Sequence, residues 1–269
     1  MWFFLCFVVA LASPSRLLLN QDGRHESFAG VGRLRINAAC TAFLVQPGAS
    51  AGSPVYVLTN GHCVLGALRN EVATDVQVPA GSVFTFQYFV DAPSRRESVA
   101  VRAIPYATLK GLDLAVIEID TTWAALAAAG IRPLRLSAFG PRPGAPVFTI
   151  GAPVNGVPAT EAWLRRSDCT VAAIVQLAEG PWKFHDAARL ACGGVFGGAS
   201  GSLSSTPGPV RSPPSSTPRR KAKSIPPVTA APSLCGSLAS GCPEQPLAGS
   251  PLISPPTSPT AAMSPFNSK

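Results

Sequence analysis

Val55-Tyr56-Val57-Leu58-Thr59-Asn60, followed by Gly61-His62-Cys63, is the stretch on which the fold turns. β-Branched and aromatic residues dominate its first half, the composition of a strand, and a glycine then ends the run. A histidine at a strand end, tethered by a cysteine, holds a fixed geometry. The plainer alternative is a histidine that only shapes the turn. Phe28–Ile36, Cys40–Val45, Val83–Val90, Val99–Ile104 and Leu112–Ile119 are similar runs, rich in Val, Ile and Phe. Breaks such as Gln46-Pro47-Gly48 and Asp91-Ala92-Pro93-Ser94 separate them, and no amphipathic helix intervenes. Six strands so spaced predict a closed antiparallel barrel over residues 28–120, because closure removes exposed sheet edges.

Residues 121–144 depart from this pattern. Alanine-rich Trp123–Ala129 and the segment Gly140-Pro141-Arg142-Pro143-Gly144 read as a crossing between two lobes. Strand-like runs resume at Pro146–Ile150, Ala162–Arg166, Thr170–Leu177 and Trp182–Phe184, which predicts a second β lobe over residues 145–203. That lobe ends in Gly197-Gly198-Ala199-Ser200-Gly201-Ser202. A serine among small residues can sit on a tight turn whose backbone N–H groups converge on one point. Taken alone, the same run is more often a flexible linker. Of the 67 residues from Leu203 onward, 15 are proline and 14 serine, with Phe266 the only aromatic. So little apolar mass cannot offset chain entropy, and residues 204–269 are expected to be a disordered tail.

The formal charge is +8, but six Lys/Arg from Arg211 to Lys269 against Glu244 place +5 of it in the tail, leaving +3 for the rest. The folded part is therefore not expected to bind nucleic acid. Arg219-Arg220-Lys221-Ala222-Lys223 lacks interleaved aromatics for base stacking and reads as a solvated charge run. Met1–Ala12 is apolar and too short to span a bilayer. It matches a secretory signal with Ala10-Leu11-Ala12 as the cleavage site, and residues 13–27 then read as a pro-region. Removing the signal takes away Cys6 and leaves Cys40, Cys63, Cys169, Cys192, Cys235 and Cys242, an even set suited to an oxidising compartment. The expectation is a secreted monomer with no stable membrane insertion.

A serine hydroxyl is a weak nucleophile and needs a base beside it. Among the three histidines, His25 lies in the polar segment before the first barrel and His185 at a strand end, and both read as solvated. His62 remains. The base needs an acid that orients it. Asp113 opens an otherwise apolar strand, a costly place for a charge unless it is paired. Glu118 and Asp120, at the far end of the same run, are the alternatives and read as solvent-facing.

Cys40-Thr41-Ala42-Phe43-Leu44-Val45, Leu58-Thr59-Asn60-Gly61-His62-Cys63-Val64, Leu112-Asp113-Leu114-Ala115-Val116-Ile117 and Gly198-Ala199-Ser200-Gly201-Ser202 together resemble the trypsin/chymotrypsin family of serine endopeptidases. The bacterial and fungal branch that includes glutamyl endopeptidases is the nearest in pattern. The order His, Asp, Ser is that family's order, and the likeness covers roughly residues 28–203. It implies an all-β fold of two antiparallel six-strand barrels. It implies His62 as general base, Asp113 as its orienter and Ser200 as the nucleophile that forms an acyl-enzyme on a protein or peptide substrate. The N–H groups of Gly198 and Ser200 would form the oxyanion hole. Cys40 and Cys63 match a family disulfide, and Cys169 with Cys192 would make a second bridge; free buried thiols are the alternative for both pairs. No metal or organic cofactor is implied, and Cys235 with Cys242 makes a poor zinc site.

Two departures qualify the likeness. Ala199 stands where the family usually has an aspartate, so an ion pair between that position and a newly cut N-terminus cannot form. The family also continues past its serine through further strands that wall the specificity pocket, whereas Ser204-Ser205-Thr206-Pro207-Gly208-Pro209 follows here. The second barrel therefore reads as incomplete. A genuine tail and a shifted reading frame both produce such a change of composition. The rival function is a catalytically impaired pseudo-protease.

Overall fold

A strand that is apolar at nearly every position must have both faces covered, and Cys40–Val45 is buried throughout. The structure, a computed structural model, describes residues 14–46, 52–65, 71–137, 140–193, 200–201, 203–205 and 228–229. Its first half runs from a short strand β1 (Arg16–Leu17) through β2 (Val31–Arg35), β3 (Ala39–Val45) and β4 (Val55–Thr59). One helical turn, α1 (His62–Leu65), follows β4. Then come β5 (Val72–Val76), β6 (Val83–Phe86), β7 (Glu97–Thr108) and β8 (Leu114–Ile119).

The antiparallel order β7-β6-β2-β3-β4-β8, with β8 returning to β7, closes the six-strand barrel that the sequence predicts. All six apolar runs supply its staves. β5 was not foreseen. It pairs on β7 outside the ring, and its side chains are mostly exposed, so it carries no apolar alternation to read. Inside the ring, Leu34, Leu44, Val57 and Ile117 pack around Phe84 and Phe86, whose rings meet edge-on at 4.6 Å. The opposite faces of β2, β3 and β4 carry Val31, Phe43, Val45 and Leu58, which pack with Phe148 and Ile150 of the second sheet. That shared layer is why β3 has no polar face.

The alanine-rich part of the expected crossing is a short helix, α2 (Trp123–Ala128), capped by the Thr122 hydroxyl, which accepts from Ala125 N at 3.2 Å. Alanine is the best helix former, and threonine a good N-cap. The second sheet contains β9 (Pro146–Gly151), β10 (Arg165–Glu179), β11 (Trp182–Cys192), β12 (Leu203–Ser205) and β13 (Val228–Thr229). Its order is β1-β10-β9-β12-β13, with β11 on β10. The runs Ala162–Arg166 and Thr170–Leu177 prove to be ends of one interrupted reading, since β10 is continuous from Arg165. Charged Arg166 and Asp168 mask it in sequence, but they pair with each other at 2.6 Å, and Arg166 lies over the Phe148 ring. Trp182–Phe184 likewise extends to Cys192. Val228–Thr229, within the stretch expected to be a disordered tail, pairs with Ser204 and Ser205.

Among the described residues the second sheet does not close into a ring, and its own core is small: Val147, Cys169 and Val171. The Cys169–Cys192 disulfide staples β10 to β11 at directly paired positions. No helix among the described residues is long and apolar enough to cross a membrane. Residues that precede the first barrel are tied into it. Leu18 and Asn20 are buried, the Asn20 and Gln21 N–H groups donate to Asp91 at 2.8 Å, and Glu26 pairs with Arg95 at 2.6 Å.

One arginine crosses from β2 to the second sheet. Arg33 Nη2 donates to the carbonyls of Pro153 and Ala162 at 2.8 Å each, and its guanidinium lies 4.9 Å from the Tyr88 ring centroid. Burial pushes its pKa down, and carbonyl dipoles and the ring face are what offset that cost. Replacing Arg33 with methionine keeps apolar bulk and leaves two carbonyls without their donor. Arg33→Met is expected to lower unfolding stability by about 2–3 kcal/mol. Urea denaturation checks this, and a loss below the measurement error would show that the lobes are held without it.

Candidate active site

The Asn60-Gly61-His62 turn is fixed by its own backbone. Val64 N and Leu65 N donate to the Gly61 carbonyl at 3.0 and 2.9 Å, which makes α1 a single turn with His62 as its first residue. Cys63, next along, is bonded to Cys40 of β3, so the turn is cross-linked to the neighbouring strand. Closing a chain segment of this length stabilises by about 3 kcal/mol in the chain-entropy model. His62 is 27% exposed, and the Nδ1 edge of its ring is engaged.

Asp113 covers it. The residue sits immediately before β8 with its side chain 5% exposed, and His62 Nδ1 lies 2.7 Å from Asp113 Oδ2. The His62 backbone N–H donates to Oδ1 at 3.0 Å, and Asn60 Nδ2 donates to Oδ2 at 3.0 Å. A carboxylate only accepts, so Nδ1 carries the proton and the lone pair of a neutral ring falls on Nε2. Glu118 and Asp120, the other acids weighed for this place, instead pair with Arg102 on the barrel surface.

Ser200 and Gly201 form a buried turn held by the first barrel. Thr41 N donates to the Ser200 carbonyl at 2.8 Å, and Gly201 N donates to Asn60 Oδ1. Gly201 has φ +81°, and a Cβ there would overlap the Thr41 carbonyl oxygen and the Thr59 hydroxyl. Only glycine fits. The serine turn thus lies on the same Asn60 that touches Asp113. Gly198, expected in an oxyanion hole, lies outside the described residues, as do the Met1–Ala12 stretch, Cys235, Cys242 and the basic cluster at Arg219. His25 bonds the Leu19 carbonyl through Nδ1 at 2.6 Å, and His185 bonds Gln176 at 2.6 Å. Neither is bonded to Asp113 or the serine turn.

Asn60 is the residue that sequence reasoning passed over. Its amide is 3% exposed and spends both ends inside the site, donating to Asp113 and accepting from Gly201. The signal in sequence is slight, an asparagine where a strand ends, which reads as turn chemistry. Cys40, His62 and Cys63 bring three donor atoms within 4.8 Å of one another, but both sulfurs are consumed in the disulfide, so the group offers no thiolate to a metal.

The description of a trypsin-like peptidase domain matches residues 40–203. No curated protein matches the sequence significantly. Among solved structures, a protease of M. tuberculosis in its active form is 20% identical, covering 76% of this chain and 77% of that one at a TM-score of 0.44. A thermostable serine protease from an extremophilic microorganism is 16% identical, with 76% and 90% covered and a TM-score of 0.40. A mutant of human heparin binding protein is 15% identical, with 68% and 77% covered and a TM-score of 0.47.

Asn60 gives this geometry a test that needs no substrate. Asn60→Ala removes a donor to a buried carboxylate and is expected to cost about 2–3 kcal/mol of stability. Asn60→Asp keeps the acceptor for Gly201 but sets a second carboxylate against Asp113, so it should cost more at neutral pH. Like-charge repulsion raises the introduced carboxyl's pKa, so the gap between the variants should narrow as the pH falls. Equal losses for both variants at neutral pH would contradict the placement.

Proposed function

The chain belongs to the trypsin-like peptidase family, and from that premise we propose that it is a serine endopeptidase working through His62, Asp113 and Ser200. The observation that carries the reading is the half-buried 2.7 Å contact between His62 Nδ1 and Asp113 Oδ2. It fixes the tautomer that a general base requires and supports the imidazolium that forms when the ring takes a proton.

In this reading Ser200 Oγ attacks the substrate carbonyl carbon as its proton passes to His62 Nε2. The backbone N–H groups of Gly198 and Ser200 receive the developing oxyanion. The tetrahedral intermediate collapses, the C–N bond breaks, and the leaving amine takes the proton from His62. Water then attacks the acyl-enzyme with His62 again as base, releasing the acid and restoring the serine. Asp113 keeps its charge throughout. No metal or organic cofactor has a part in these steps. In this reading the substrate is a protein or peptide and the working species a monomer outside the cell, and the two disulfides support an oxidising compartment.

A second reading is favoured by one observation: among the described residues the second sheet is not closed. A chain whose serine turn is loosely walled would be a pseudo-protease that binds without cleaving. A fluorophosphonate probe separates the two. The enzyme reading expects labelling of Ser200 that vanishes in His62→Ala, and peptide hydrolysis that falls about 10⁴-fold in Asp113→Asn because the wrong tautomer is presented. A folded chain that takes no label supports the pseudo-protease.

A further inference from the structure

Residues 13–27 read in sequence as a pro-region, yet from Ser15 onward they have partners in both sheets. The first part lies on the second sheet. β1 pairs antiparallel with the start of β10, Arg16 opposite Arg166 and Leu17 opposite Arg165, and Leu18 N donates to the Leu164 carbonyl at 2.9 Å. Arg165 donates from Nε to the Ser15 hydroxyl at 3.0 Å and from Nη2 to the Ser15 carbonyl at 2.9 Å. The second part lies on the first barrel. The Asn20 and Gln21 N–H groups take one oxygen each of the Asp91 carboxylate. Asn20 is fully buried and engages both ends of its amide: Nδ2 donates to Glu26 at 3.0 Å, and Oδ1 accepts from His25 N at 2.8 Å. Glu26 in turn holds Arg95. Leu18, in sequence between the two anchorages, is 1% exposed and belongs to the apolar layer shared by the sheets, with Phe28, Phe43, Phe148 and Leu164.

We infer that residues 15–26 are a permanent strap joining the two sheets, not a releasable pro-region, so that the site is competent without any cut between Ser15 and Phe28. Competence without a cut rests on the protease reading above; retention of the strap does not. A segment that inhibits and is then discarded has to lie on the site it blocks and be held weakly enough to leave. None of the bonds just described is made to His62, Asp113 or Gly201. Release would take two acceptors from Arg165, whose side chain is 13% exposed, and two donors from the Asp91 carboxylate. Polar groups left unpaired away from water carry their full desolvation cost. Release would also empty the place of Leu18, and a large apolar side chain removed from a packed layer leaves a cavity. That layer includes Phe43 of β3 and Leu58 of β4, and these are the strands whose Thr41 and following Asn60 seat the Ser200-Gly201 turn. Losing the strap therefore loosens the support of the proposed nucleophile and uncovers nothing.

The test uses the full chain, its intact mass checked so that no cut has occurred, and compares two neighbouring leucines. Thermal midpoint and rate of fluorophosphonate labelling are measured for the unaltered chain, for Leu18→Ala and for Leu19→Ala, the last at a side chain 48% exposed. A strap and a pro-region give opposite signs. If the segment is a strap, the uncut chain takes label, Leu18→Ala lowers the midpoint by about 10 °C, and labelling slows at a temperature where the variant is still folded. Leu19→Ala changes neither. Leu18→Val carries the same signs at smaller size and replaces the alanine variant should that one not fold. An uncut chain that is silent until Leu18→Ala speeds its labelling overturns the inference and leaves the protease reading standing. Equal midpoints for the two leucine variants also overturn it. A midpoint that falls in Leu18→Ala alone, with no label on any form, sinks the protease reading and leaves the strap in place.

Discussion

The arrangement of the whole site follows from the need to bury one negative charge. An ionised carboxylate removed from water is tolerated only where hydrogen-bond donors replace the solvent. At Asp113 the donors come from a single three-residue turn: the Asn60 amide, the His62 backbone N–H and the His62 ring. The charge and the turn therefore define each other. The carboxylate holds the imidazole in one orientation and one tautomer, and the imidazole with its neighbours makes the carboxylate affordable in the interior. Asn60 then passes the constraint onward, because the end of its amide that does not face Asp113 accepts from Gly201 beside the serine.

Thr41 performs the matching service from β3. It is the one polar side chain in the apolar run Cys40–Val45, and every polar group on it is occupied. Its N–H donates to the Ser200 carbonyl at 2.8 Å, its carbonyl accepts from the Thr59 hydroxyl at 2.7 Å, and its own hydroxyl accepts from Ala152 N at 2.8 Å. A buried hydroxyl is costly when unpaired and specific when paired. The hydroxyl and backbone of Thr41 together join β4, the serine turn and the residue that follows β9 at a single point.

Much of this was legible in sequence, and what was not shares a physical character. The six staves of the closed barrel could be read because each carries Val, Ile or Phe in short runs with glycine or proline between. His62 and Asp113 stood out because one is a histidine ending such a run and the other a charge opening one. The chain gave no comparable warning of β5, which lies outside the ring and exposes most of its side chains, nor of the continuity of β10, where arginines and an aspartate pair with one another on a surface strand. Asn60 and Arg33 escaped for a different reason. Both act through hydrogen bonds to backbone groups far along the chain, Gly201 for the first and Pro153 and Ala162 for the second. Such partners leave no local pattern, since any residue type offers the same N–H and carbonyl.

The two halves of the molecule are unequal, and this bears on where the proposed chemistry is vulnerable. The first barrel holds both His62 and Asp113 and is a closed ring with its own core of Leu34, Leu44, Phe84, Phe86 and Ile117. The second sheet has little interior apart from Val147, Cys169 and Val171, and borrows the rest of its apolar contacts from the outer faces of β2, β3 and β4. The seat of the Ser200-Gly201 turn on the first barrel is consequently not a property of either half. It is set at the layer between them, by Arg33, Thr41 and Asn60 reaching across and by the hairpin of β10 and β11 seated on Gly111. Packing at that layer is shared by both sheets. The proposed chemistry is steeply sensitive to displacement at this layer, with an ångström worth about a hundredfold in rate. Polar cross-links rather than more apolar area are what this layer needs, because apolar contacts permit sliding and directed hydrogen bonds do not.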